Sequence, residues 1–203
     1  MTAKKLYNIL FGMEHLPTEL QNEQERIRLA QYLDSIIGSS QHTHTQLLFS
    51  AGQEAEYIYF VEEGLARGYN YDAERHREDT VILWDEGSIF TDPSGFFKKR
   101  PADLNVEVMS GSILRVISHK QLLALYEQFA YANVFTACMA SRYTSYFIKR
   151  SHDLVSLSAW ERYQELLLRH PGIEQKVTKE MIASYINVAP QSLSRILKEN
   201  RGF

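Results

Sequence analysis

Residues 177 to 198 read VTKEMIASYINVAPQSLSRILK, and their apolar residues fall where two short helices packed across a tight turn require them. Counted from Lys179, the fourth, eighth, tenth, fifteenth and eighteenth places hold Ile182, Ile186, Val188, Leu193 and Ile196. The small Ala183 stands at the fifth place, where the helices come closest, and Asn187 at the ninth, where the turn needs a residue that tolerates positive φ. Thr178 suits the cap of the first helix, Glu180 its first turn, and Pro190 the first turn of the second helix.

The second helix carries Gln191, Ser192, Arg195 and Lys198 away from the apolar Leu193, Ile196 and Leu197. Such a composition reads a DNA major groove: arginine grips a guanine edge, glutamine an adenine edge, and serine, threonine and lysine hold phosphates. Arg195 is the first candidate for base reading and Gln191 the second, with Thr178, Lys179, Ser192 and Lys198 as phosphate contacts. An ordinary helical hairpin with a solvated face shares this apolar spacing, so the rest of the chain has to separate the two.

The 203 residues leave room for one large domain or two modest ones. No apolar run approaches the roughly 18 to 20 residues needed to span a bilayer. The N-terminal stretch lacks a small-residue cleavage site after a sustained apolar region, which predicts a cytoplasmic protein without a membrane partner. A single cysteine, Cys138, excludes an intrachain disulfide and any four-cysteine metal site. The net charge of -3 is uneven. Residues 140 to 203 hold ten Lys/Arg against six Asp/Glu, a balance of +4, while residues 1 to 139 hold twelve against nineteen, or -7. The basic surplus sits at the end that phosphate contacts would need.

Along the chain, residues 3 to 13 and 18 to 37 read as helices, the second stopped by Gly38. His42 and His44 follow in SSQHTHTQ, an HxH pair of the kind that holds metal in cupin barrels. No carboxylate occurs within residues 45 to 53, which leaves them as loop or edge-strand histidines. From Leu47 the segments LLFSAGQ, YIYFVEEG, LARGYNYDA, EDTVILWDEG, SIFTD, NVEVMSG and SILRVIS predict an all-β sandwich or barrel. HKQLLALYEQ predicts a short helix, followed by a long one apolar on more than one face. That pattern suits burial on both sides, or packing on its own domain and on a partner chain. The second choice gives a homodimer, with Val134, Phe135, Cys138, Met139, Arg142 and Tyr146 as interface candidates. Ser158 and Glu161 form a capping box that opens a helix through Arg169, with Trp160, Tyr163, Leu166, Leu167 and Leu168 as its packing face.

This order resembles the Crp/Fnr family of bacterial transcription regulators over nearly the whole chain. YIYFVEEGLARGY is similar to the family's glycine turn between early β-roll strands, and EGSIFTD to the strand entering its phosphate-binding cassette. SAWERYQELLLRHPGIEQKVTKEMIASYINVAPQSLSRI resembles the sensor-to-DNA region of a Bacteroidetes-type branch. The resemblance implies an α+β fold: a jelly-roll-like, cyclic-nucleotide-binding-like β-roll with flanking helices, a long dimerisation helix and a C-terminal helix-turn-helix domain. The expected divisions are 1–127 for the sensor domain, 128–154 for the long helix and 155–203 for the DNA-binding unit, which ends at Phe203 without an evident wing.

Relatives that bind cyclic AMP offer a Gly-Glu-Leu segment and an Arg-Ser pair. Here the matching places read Thr91, Asp92, Pro93, Ser94, Gly95 and Pro101, Ala102, Asp103, Leu104. Thr91, Asp92, Ser94 and Asp103 are the candidate effector pocket, with Asp92 able to accept from a hydroxyl. No arginine meets the phosphate, and Lys98, Lys99 and Arg100 would substitute only by reaching inward. The usual arginine-dependent binding of cyclic AMP is therefore not expected, no cofactor is assigned, and the effector is an unknown small molecule. One cysteine cannot hold the iron–sulfur cluster of the family's oxygen sensors, and His76, in AERHREDT, is a poor haem ligand.

The resemblance implies a non-enzymatic, homodimeric regulator bound to an inverted repeat of double-stranded DNA, with RNA polymerase as a further partner. Two alternatives are a cyclic-nucleotide signalling module acting through protein contacts and a cupin-like metal enzyme using His42, His44 and His76.

Overall fold

A computed structural model describes residues 4–13 and 15–201; residue 3 and residues 202 and 203 of the expected spans lie outside these. Helix α1 spans Lys4–Phe11 and α2 spans Glu23–Ile36. The single helix expected over 18 to 37 is divided. Thr18–Gln21 form a 3-10 turn, and α2 starts only after Asn22, whose side chain accepts from the Gln24 amide. A cap residue holds extended backbone, so no helix runs through it.

Eight strands follow: β1 Gly38–His42, β2 Gln46–Phe49, β3 Tyr57–Glu63, β4 Leu65–Asp72, β5 Arg77–Asp85, β6 Ile89–Phe90, β7 Asn105–Val108 and β8 Ser112–Ser118. They form two antiparallel sheets in the orders β1-β8-β3-β6 and β2-β7-β4-β5. Alternation assigns the faces. In β4, Ala66 joins the main core inside the roll, while Leu65 points to the opposite face. The main core holds Phe60, Val61, Ile82, Trp84, Phe90, Val106, Val108 and Leu114, closed on the outside by Leu6, Leu10, Leu29 and Leu33 of α1 and α2. Gly64, at φ 95, makes the turn between β3 and β4, and a Cβ there would lie 2.7 Å from the Ser112 Cα.

A six-residue helix, α3, Pro93–Lys98, crosses between β6 and β7. Helix α4, His119–Gln128, carries a capping box of Ser118 and Gln121. The long helix begins later than the expected residue 128. Phe129 leaves helical geometry at φ -137 and ψ 81, residues 130–132 form a 3-10 turn, and α5 runs Asn133–Ser156. Phe129 is buried against Tyr32, a fixed position that breaks the chain direction before α5. Helices α6 Ala159–Arg169, α7 Lys179–Tyr185 and α8 Pro190–Arg201 complete the chain. Among the described residues, no helix is long and apolar enough to cross a membrane.

A second core holds Tyr163, Leu166, Ile173, Ile182, Tyr185, Ile186 and Leu193 together with Leu65, Leu83 and Met109 from the outer face of the second sheet. Trp160 and Leu167 pack against it, whereas Leu168, expected on the same face of α6, is 76% exposed. The C-terminal unit is thus seated on the β-roll.

Candidate nucleic-acid interface and effector cavity

Helices α7 and α8 form the expected helix-turn-helix, for local reasons. The Thr178 hydroxyl accepts from the Met181 amide, and Asn187 takes φ 57 in the turn. The Val188 amide donates to Ala183 O at 2.9 Å, which closes the turn onto α7. Pro190 opens α8. Leu193 is buried, with Ile196 and Leu197 half-buried beside it. Gln191, Arg195 and Lys198 stand exposed along the other face of α8, with Thr178 and Lys179 exposed at the start of α7 and Ser192 half-buried. Among the described residues, Arg195 is held by a loose pair with Glu199 at 3.9 Å. Glu199, which the sequence reading passed over, is an anion on the otherwise cationic face.

The seat of this unit is polar as well as apolar. Ser184 Oγ accepts from the Thr80 amide at 2.7 Å and donates to Glu78 O at 3.0 Å, so α7 is tied to β5. Arg150 of α5 donates to Val81 O at 3.0 Å and to Tyr185 O at 2.5 Å, its guanidinium 3.9 Å from the Tyr185 ring centre. The Tyr146 and Tyr185 hydroxyls meet at 2.9 Å, and His170 Nδ1 lies 3.0 Å from Asp85 Oδ2. Burial pushes the Asp85 carboxyl up, but hydrogen bonds from His170 and Ser88 outweigh it and hold the group below its usual value. The sequence did not point to these contacts between elements, whose partners lie 35 to 106 residues apart.

Between the inner face of the second sheet and α5 lies a cavity of about 850 Å³. Its walls are Ile82, Trp84, Leu104 and Val106 from the roll, Phe97 of α3, and Met139, Tyr143, Phe147 and Ile148 of α5. Gly68 lets Trp84 lie here, since a Cβ would come within 3.0 Å of the Trp84 ring. Thr91, Asp92 and Asp103 line the cavity; Ser94, the fourth expected residue, does not. Asp92 also holds local backbone. Its Oδ1 accepts from the Gly95 amide at 2.6 Å as the cap of α3, and its Oδ2 accepts from the Asp103 amide at 3.2 Å. Thr91 donates to Tyr57 O at 2.8 Å. Lys98, Lys99 and Arg100 are exposed and line no part of the cavity. Arg67 is buried on the other face of the sheet, paired with Glu78 and, at 2.6 Å, with Glu107. A smaller cavity of about 270 Å³ adjoins, shares Ile82, Trp84, Met139 and Tyr143 with the first, and reaches Arg169 and His170.

The interface expected on α5 needs correction. Phe135 lies in the protomer's own core, and Cys138, Met139 and Tyr146 pack against it; Val134 is half-buried and Arg142 exposed. The apolar spacing was read correctly as burial, but the β-roll is what covers it. The exposed stripe is instead Ala137, Ser141, Thr144, Ile148, Ser151 and Val155, at alternating steps of four and three. That is the coiled-coil spacing, and it escaped notice because most of its members are small or polar.

His42 is an edge-strand residue, with Nε2 3.0 Å from Ser40 Oγ and Nδ1 3.1 Å from Gln46 Oε1. His44 is exposed, and His76 is exposed in the β4–β5 turn. Among the described residues no group of three or more His, Cys, Asp or Glu is placed to hold a metal, so the cupin-like constellation is not formed.

Residues 42–129 match the cyclic nucleotide-binding domain family. No curated protein sequence matches the chain. Among solved structures, FixK2 from Bradyrhizobium japonicum is 16% identical with a TM-score of 0.69, over 82% of this chain and 85% of that one. The c-di-GMP responsive global regulator CLP of Xanthomonas campestris is 14% identical with a TM-score of 0.67, over 87% and 92%. A protein from Eubacterium rectale assigned to the Crp/Fnr family of transcriptional regulators is 16% identical with a TM-score of 0.69, over 86% and 83%. The match over residues 42–129 is to a cyclic nucleotide-binding domain, and the chain shares the fold of these solved regulator structures.

Proposed function

We propose that this protein is a non-enzymatic, homodimeric transcription regulator that binds an inverted repeat of double-stranded DNA through α7 and α8 and is tuned by a small molecule in the larger cavity. The observation that carries the reading is the exposed row of Gln191, Arg195 and Lys198 on a helix whose opposite face packs on α6 and α7, with α7 seated on β5. Two copies related by a two-fold axis would place these rows in successive major grooves, about 34 Å apart. The stripe from Ala137 to Val155 supports pairing of the long helices, because small residues let two backbones approach and Ile148 and Val155 are 67% and 86% exposed without a partner.

Sensing is supported by shared walls. On β5, Ile82 and Trp84 line the cavity, while Leu83 and the Thr80 amide hold the C-terminal unit and the Val81 carbonyl accepts from Arg150 of α5. On α5, Tyr143 and Phe147 line the cavity, while Tyr146 and Arg150 hold Tyr185. A ligand that shifts either wall shifts the seat of α7 to the extent that it favours one arrangement over the other. A cavity without a cation argues against the alternative of a signalling module built on ordinary cyclic-nucleotide binding.

Selection of bound duplexes from a random pool, at a fixed salt concentration and with or without cyclic AMP, tests this reading. We expect an inverted repeat enriched in both arms. Folded protein that enriches no motif in either arm removes the DNA-binding assignment, and enrichment only with cyclic AMP removes the view of the cavity.

A further inference from the structure

We propose that the larger cavity binds a predominantly apolar organic molecule that is uncharged or cationic, and excludes phosphate-bearing ligands; this deepens the sensing role above and rests on it. The space, about 850 Å³, lies in the range of small-molecule sites. Trp84, Tyr143 and Phe147 give it aromatic walls and Leu104 and Val106 aliphatic ones, so an apolar body is well accommodated.

Charge decides the class. The ionisable groups that line the cavity, among the described residues, include the two carboxylates Asp92 and Asp103 and no lysine, arginine or histidine. Asp92 is 7% exposed, and both its oxygens are held by backbone amides, so it cannot turn away without uncapping α3. A phosphate would be stripped of water beside this fixed charge with no counter-cation. The neighbouring cations lie outside its lining: Lys98, Lys99 and Arg100 stand in solvent, Arg67 is bound to two glutamates on the opposite face of the sheet, and in the adjoining smaller cavity Arg142 is exposed while Arg169 is paired with Asp153 and His170 with Asp85. Asp103, by contrast, is exposed at the edge of the cavity, where a ligand amine could reach it.

Two fluorescent probes isolate the effect of charge. N-phenyl-1-naphthylamine and 8-anilino-1-naphthalenesulfonate share an arylamine body and differ by a sulfonate. Titrated into the full-length protein, the neutral amine should bind at least about tenfold more tightly than the sulfonate, and cyclic AMP should not displace it. Asp103→Lys, at an exposed position, should raise sulfonate affinity by about tenfold and leave the amine's affinity nearly unchanged. Leu104→Trp should weaken amine binding by about tenfold by narrowing the space. Equal or tighter binding of the sulfonate, displacement of the amine by cyclic AMP, amine affinity unchanged in Leu104→Trp, or no binding of the amine would each overturn the proposal. DNA is absent from this experiment, so its failure leaves the DNA-binding reading standing, and loss of DNA binding would not disturb its result.

Discussion

Arg195 projects from α8 with its side chain 72% exposed and tied to nothing stronger than the 3.9 Å pair with Glu199. An exposed pair of this kind adds little to stability, so the residue is free to be used on a base. Arg195→Ala is expected to cost about 1 to 3 kcal/mol on the preferred duplex and to flatten preference at one position of each half-site, without changing the folding midpoint. Retained affinity and preference in a binding titration would exclude Arg195 from base reading. Residues whose job is local were legible from the sequence. Thr178, Asn187, Pro190 and the Ser158–Glu161 box act on backbone within a few residues, and all stand as expected. The structural part that Asp92 plays was not legible, because its second partner is Asp103, brought near only by the fold of the β-roll.

The decisive contact between elements is α7 on β5. Ser184→Ala would leave the Thr80 amide without its acceptor and the Glu78 carbonyl without its donor. We expect a loss of about 1 to 3 kcal/mol in urea unfolding and faster amide exchange centred on α7 and the end of β5. Unchanged exchange at Thr80 would show that the seat does not depend on this hydroxyl. The seat should also weaken in acid. Asp85 has a folded pKa below its unfolded value, so its contribution is present above about pH 4 and is lost as the pH falls through the lower folded value. Asp85→Asn should flatten that part of the acid-unfolding profile; an unaltered profile would exclude the Asp85–His170 contact as its source. Elements were read well where periodicity is strong. All seven expected strand segments contain strands, and HKQLLALYEQ is α4. The break at Asn22 was missed, and the long helix, separated from α4 as expected, starts at Asn133 rather than beside Gln128, because hydrophobic spacing runs on across capping or turned residues.

For the molecule as a whole, the proposed dimer follows from what the protomer leaves uncovered on α5. Ile148→Asp should shift the protein from dimer to monomer in sedimentation and weaken binding to an inverted repeat by about a hundredfold or more, since two buried like charges would face each other across the axis. The protomer itself should stay folded, because Ile148 is already 67% exposed in it. A monomeric parent protein, or a variant that remains dimeric, would exclude the stripe as the interface. The sequence by itself determined the β-roll, the order of helices after it and the helix-turn-helix, since these depend on periodicity and on caps that act within one turn. It also determined that no arginine occupies the expected phosphate position. Only the tertiary structure decided which face of α5 the roll covers, that Asp92 caps α3, and that β5 and α5 are walls of the cavity and of the seat of α7 at once. Each of those depends on groups far apart in the chain, and spacing along one segment says that a face is buried but never by what.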